Sequence, residues 1–170
     1  LFVAVGERGT ILTSGNGQSW ANQVRVTAED LDGMTVGAGL AVVVGKNDTI
    51  LTSPNGRDWT RANVPPTTNT VPRDWHGVGY GDGKFVAVGQ TKEILVSTNG
   101  FDWDVRYYET PLSPYLKSVA YGAGVWVAVG EGGQLFTSAD TMLWLPFAST
   151  VSYDLNEVTY GNGMFVVVGD

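Results

Sequence analysis

The sequence predicts an all-β fold, a β-propeller of repeated four-stranded antiparallel blades. About four blades fit in this chain, as a ring or as part of a larger propeller. Three observations carry this. One phrase is written several times: a Val-rich run closed by glycine, an Ile/Leu-rich run, then a Ser-x-Asn-Gly-x-x-Trp turn. The closing glycines Gly6, Gly45, Gly89, Gly130 and Gly169 step by 39, 44, 41 and 39 residues, the period of a four-stranded blade. No stretch shows the long 3.6-residue periodicity that a helical repeat of similar length would need.

Each full copy reads as four strands. The first is Leu-x-x-Val-x-Tyr, as in Leu116, Val119 and Tyr121, or Leu155, Val158 and Tyr160. Trp75 takes the Leu place in the third copy, and Leu31 and Val36 hold the ends in the second. Gly-x-Gly follows each time, and paired glycines supply the positive φ of a tight hairpin. The second strand, such as Phe85-Val86-Ala87-Val88-Gly89, is apolar throughout, so both of its faces are expected to be covered. Stacked blades provide that cover.

The third strand ends in the turn, where Asn tolerates left-handed φ and bonds the backbone ahead, and Ser holds the other side. The expected turn and plug residues are Ser14, Asn16 and Trp20; Ser53, Asn55 and Trp59; Ser97, Asn99 and Trp103; Ser138, Asp140 and Trp144. Each Trp is read as a plug between blades. The fourth copy loses the Gly of the turn, which predicts a stiffer or differently shaped turn there.

One domain is expected over 1–170, with repeats near 1–30, 31–74, 75–115 and 116–154 and a partial copy at 155–170. Phe165–Gly169 duplicates Phe2–Gly6, which favours a portion of a longer array; closure by Leu155–Tyr160 completing the first blade is one alternative, and pairing of two open copies into one larger ring is a third reading. The chain starts in mid-repeat at Leu1, shows no signal peptide, and reads as a processed or excised piece.

Composition narrows the function classes. Hydrophobic residues are 43%, and no apolar run approaches the roughly 18 residues of a membrane span. The 23 glycines suit short strands joined by tight turns. A net charge of −7 with scattered basic residues argues against nucleic acid as a partner. Cysteine is absent, which excludes disulfides and thiolate chemistry.

The Ser-x-Asn-Gly-x-x-Trp turn resembles the Asp-box, or sialidase-type, repeat. It looks most like bacterial propellers described as similar to photosystem II assembly factors or sialidases. It departs from the usual box by Asn for Asp in three copies and by a Ser-to-Trp spacing one residue shorter. Membership would imply a propeller with the box as a structural turn, away from any catalytic face. It would also imply a location outside the cytoplasm, extracellular or periplasmic.

Propeller sites lie at one end of the central channel. Here that face is expected to carry Glu7, Arg8, Lys46, Asp48, Lys92, Glu93 and Glu131. Two carboxylates flanking a sugar would allow glycoside hydrolysis; solvated loop charges are the plainer reading. The arginines match no sialidase motif. His76, the only histidine, would be needed for a Ser-His-Asp triad with Asp74, but no nucleophile turn accompanies it. Metal-ligand spacing is absent, so neither metal nor cofactor is expected.

Positions that break the repeat are the better candidates. Trp75, Tyr107 and Tyr108 are expected as stacking rings, with Arg73, Asp74 and Arg106 as polar partners; Tyr115 is a further ring in these returns. The expectation is a non-catalytic binding or scaffolding module for a glycan or protein surface. A glycoside hydrolase and a structural, adhesin-like repeat are the alternatives, and self-association is an option if the ring is incomplete.

Overall fold

The computed structural model describes residues 1–66, 72–107 and 115–170. They form five antiparallel sheets in chain order. Sheet 1 has β1 (Phe2–Gly6), β2 (Thr10–Ser14) and β3 (Ala21–Asn22). Sheet 2 has β4 (Leu31–Gly37), β5 (Leu40–Gly45), β6 (Thr49–Ser53) and β7 (Thr60–Arg61). Sheet 3 has β8 (Trp75–Gly81), β9 (Lys84–Gly89), β10 (Glu93–Ser97) and β11 (Asp104–Tyr107). Sheet 4 has β12 (Leu116–Gly122), β13 (Val125–Gly130), β14 (Leu135–Ser138) and β15 (Leu145–Phe147). Sheet 5 is the hairpin of β16 (Leu155–Gly161) and β17 (Met164–Gly169). No α-helix occurs among the described residues; Glu7–Gly9 and Glu131–Gly133 are single 3-10 turns.

The sheets stack in order through their inner strands β4, β8, β12 and β16. The Val-rich second strands alternate, one set of side chains toward each neighbouring sheet. Val42, Val44 and Ile50 pack on Trp75, Phe85, Ala87, Leu95 and Trp103 of the next sheet. Val86, Val88 and Ile94 do the same with Leu116, Trp126, Ala128, Phe136 and Trp144. Each sheet of the interior is thus covered on both faces.

The glycines of Gly-x-Gly do two different jobs. Positive φ falls on the middle residue and the second glycine: Ala38 and Gly39, Asp82 and Gly83, Ala123 and Gly124, Asn162 and Gly163. This is the pattern of a type I′ hairpin. The first glycine is instead a seat. A Cβ on Gly37, Gly81 or Gly122 would lie 2.0, 2.3 or 2.1 Å from the side chain of Tyr80, Tyr121 or Tyr160 in the next sheet. The recurring tyrosine therefore packs into the space left by the preceding sheet's glycine.

The stack is open. β16 pairs with β17, sheet 1 has three strands, and the described residues show no substantial contact joining sheet 5 back to sheet 1. The inner strand of a first blade is not supplied by Leu155–Tyr160.

Candidate functional site

The Ser and Asn (or Asp) bonds of the turn recur in every copy, whereas the indole bond is made only in the first two, and the buried indole N–H groups of Trp103 and Trp144 have no partner among the described residues. Ser14, Ser53 and Ser97 accept the backbone N–H of Gly17, Gly56 and Gly100 at 2.8 Å. Asn16, Asn55 and Asn99 each accept two backbone N–H groups beyond them at 2.9–3.0 Å. Indole Nε1 of Trp20 and Trp59 donates to the carbonyl of Gly17 and Gly56. The fourth turn keeps this shape, which corrects the expectation of a different one. Ser138 accepts Thr141 N–H, Asp140 accepts Met142 and Leu143 N–H, and Thr141 takes φ 70° where the other copies have glycine. The side-chain bonds hold a β-branched residue in the left-handed region that it rarely adopts.

The inner strands share a second device. Pairing register shifts between Leu31 and Gly33, Trp75 and Gly77, Leu116 and Ser118, and Leu155 and Glu157. The bulged residue in each is polar: Asp32, His76, Lys117, Asn156. A bulge re-aims its side chain, and here it does so at the inner edge of four consecutive sheets, with the apolar residue before it buried. Asp32 Oδ2 lies 2.9 Å from His76 Nδ1, and the His76 ring stacks on Tyr115 with centroids 4.7 Å apart at 20°. Lys117 Nζ donates to Asp154 and Asn156 at 2.9 Å each, and Asn156 Nδ2 donates to Asp170 at 3.0 Å. His76 Nε2 is buried and has no hydrogen-bond partner.

The strip is braced by aspartates just before the inner strands. Asp30, Asp74 and Asp154 accept backbone N–H from Arg8, Asn47 and Gly132 in the preceding sheet's turn at 2.9–3.0 Å. Those residues sit at φ 54–62°, so at Arg8 and Asn47, which lack the freedom of Gly132, the carboxylate also holds a strained conformation. The Lys46 hydrogen bond, with the Arg8 N–H, holds Asp30 below the usual carboxylate range. The Gly132 N–H and Lys117 lower Asp154 likewise, and Asp154 in return raises Lys117. In the fourth sheet Tyr115 stands where the aspartate would be, which frees its ring to meet His76. Burial, then Asp74, Glu131 and Asp32, push the Tyr115 phenol upward.

The expected ligand residues are not brought together. Trp75 is fully buried between sheets 2 and 3, so its ring cannot be a stacking surface. Arg73 is also buried: Nε bonds Asp48 at 2.6 Å, Nη1 bonds Glu93 at 2.5 Å, and Nη2 bonds the Pro65 carbonyl. Burial works against the Arg73 charge, but the bonds from Glu93 and Asp48 outweigh it and raise its pKa. It ties two sheets together and is not free to meet a ligand. Asp74 spends its carboxylate on Asn47, and the partner of His76 is Asp32, not Asp74. Arg106 and the exposed Tyr107 lie on β11, the strand of sheet 3 farthest from β8. Tyr108 lies outside the described residues. Glu7 and Glu131 hold equivalent turns in sheets 1 and 4, with two sheets between, so they do not flank one bond.

Asp32, Lys117 and Asn156 escaped the sequence reading. Their signal is a polar residue directly after the apolar residue that opens each inner strand, a pattern visible once the strands are aligned.

No family profile and no curated protein matches this sequence. Solved structures do. A structure described as YCF48 bound to D1 peptide superposes with a TM-score of 0.72 at 17% identity, over 98% of this chain and 56% of that one. YCF48 from Cyanidioschyzon merolae superposes at 0.68 with 21% identity, over 95% of this chain and 56% of that one. The chain thus spans a little over half the length of both. At these identities the likeness shows the fold, and the fold is a β-propeller.

Proposed function

We propose that this propeller is a non-catalytic protein-binding module, one that takes a peptide segment of a partner along the strip of bulged residues. The strip of Asp32, His76, Tyr115, Lys117 and Asn156 carries this reading, because a carboxylate, an imidazole, an aromatic face, a cation and an amide lie in one row. Such a row suits the alternating polar and apolar groups of a peptide. The strip is also where the repeat departs from itself, and a site is built on departures, since recurrent positions are spent on packing. The structural likeness to a YCF48 solved with a D1 peptide supports a peptide as ligand. The strip's charged groups are engaged in bonds between sheets, which suits a rigid surface better than proton transfer.

Peptide display against the 170-residue chain, followed by calorimetry on selected peptides, tests the proposal. Lys117→Ala and Tyr115→Ala should each weaken binding about tenfold or more, the loss of one charge-assisted bond or one ring contact. Circular dichroism should show the fold unchanged. Selected peptides that bind both variants as tightly as the parent would place the site elsewhere. A glycan reading would rest on the exposed ring of Tyr107, and a glycan array with Tyr107→Ala separates it from the peptide reading.

A further inference from the structure

Asparagine followed by glycine occurs at Asn16–Gly17, Asn55–Gly56, Asn99–Gly100 and Asn162–Gly163. Such a pair is the dipeptide most open to deamidation, because glycine puts no side chain in the way when its backbone nitrogen attacks the asparagine Cγ. How the amide and that nitrogen are held decides whether they can meet.

The three pairs in the Ser-x-Asn-Gly turns are held on both sides. The attacking nitrogens of Gly17, Gly56 and Gly100 donate to Ser14, Ser53 and Ser97 at 2.8 Å. Oδ1 of Asn16, Asn55 and Asn99 is fixed by two N–H groups further along the chain. Asn55 Nδ2 also donates to Asp58 at 2.7 Å, and Asn99 Nδ2 to Asp102 at 3.0 Å. These contacts explain why asparagine stands there: an aspartate would set two carboxylates against each other. In the fourth turn, where Asp140 takes the place, Leu143 stands at the position of Asp58 and Asp102.

Asn162–Gly163 is held on neither side. It is the two-residue tip between β16 and β17, whose flanking residues Gly161 and Met164 pair. The Asn162 amide has no hydrogen-bond partner among the described residues, and both tip residues are exposed. A Cβ on Gly163 would meet nothing within 4 Å. The same tip is exposed in the three preceding sheets, at Ala38–Gly39, Asp82–Gly83 and Ala123–Gly124, so its openness belongs to the turn itself. Of the four tips, this one alone carries asparagine.

We infer that Asn162 is a deamidation site of this protein, and that the bonds of the turns shield Asn16, Asn55 and Asn99. The Gly163 nitrogen gives its proton to solvent base and bonds to Asn162 Cγ. The Cγ–Nδ2 bond breaks, Nδ2 takes a proton from water and leaves as ammonia, and a five-membered succinimide remains. One water opens the ring at either carbonyl, giving aspartate or isoaspartate; no oxidant or reductant takes part. Either product adds a negative charge, and isoaspartate also adds a carbon to the backbone of the turn that sets the β16–β17 register. This inference is independent of the peptide reading.

Incubation of the folded chain in warm, mildly alkaline buffer, followed by peptide mapping in a mass spectrometer, tests it. Asn162 should convert about tenfold faster or more than Asn16, Asn55 and Asn99, whose attack waits for the turn to open. A repair carboxyl methyltransferase with its methyl donor, which labels isoaspartate, should label the Asn162 peptide. In urea all four should convert at similar rates, since nothing then holds them. Ala38 and Ala123 occupy this turn position at φ 48°, so Asn162→Ala should fold and lose the signal. Ser97→Ala frees the Gly100 nitrogen and should speed Asn99 in the folded chain. Turn asparagines that convert as fast as Asn162 in the folded chain overturn the inference. So does an Asn162 that stays intact while the urea sample reacts. A folded Ser97→Ala chain in which Asn99 reacts no faster refutes the shielding.

Discussion

Four tryptophans follow the same turn, yet their energetic weight differs with what lies against them. Trp59, Trp103 and Trp144 are buried in seams, whereas Trp20 is on the outward face of sheet 1. Trp103→Ala should cost about 3–5 kcal/mol, the range for removing a buried large aromatic. Trp20→Ala should cost less than about 1 kcal/mol, because little packing is lost. Urea denaturation of both variants checks the pair, and equal midpoints would show that the turn, not the seam, sets the cost. Arg73 teaches the same lesson for a charged residue. A long basic side chain beside a loop reads as a surface group, but three partners hold it in the interior.

At the scale of the element, the inner strand combines a bulge at its start with a glycine at its end. The bulge lifts one polar side chain out of the stack, and the glycine accepts a ring from the next sheet. The two glycines Gly81 and Gly161 occupy the same strand position with opposite surroundings. Gly81→Ala would drive a methyl into Tyr121 and should destabilise by about 1–3 kcal/mol, the usual cost of overpacking. Gly161→Ala meets open space and should be neutral, or stabilising by up to about 1 kcal/mol, as the strand loses less backbone entropy on folding. Thermal melts of the two variants compare them directly. A similar loss in both would mean that backbone conformation, not the next sheet, demands glycine there.

For the whole molecule, the sheets are tied to each other by carboxylates as well as by apolar seams. Asp30 and Asp154 take hydrogen bonds across seams, Asp102 takes them from Asn63 and Asn99, and Asp140 takes them within its turn. All four are held below the normal carboxylate value in the folded state. The unfolded chain then binds more protons in acid, so stability rises with pH there. This contribution is complete above the unfolded value of about 4 and is lost as the pH falls through the lower folded values. Melting temperature should decline below about pH 4, and Asp154→Asn should flatten part of that decline. A melting temperature that climbs on acidification through this range would refute the account.

The sequence alone determined the repeat, its period, the four-strand plan and the turn residues, because each is a local pattern along a few residues. Apolar continuity in Phe85–Gly89 announces cover on both faces without saying what covers them. Only the tertiary structure decided which side chains are covered. Trp75 and Arg73 break the repeat and so looked like site residues, but the neighbouring sheet buries them. His76 meets Asp32, 44 residues away, because a bulge recurs in adjacent strands; its sequence neighbour Asp74 faces a different turn. Burial and side-chain partnership are set by the sheet stacked alongside, some 40 residues distant in the chain, and no local pattern records them.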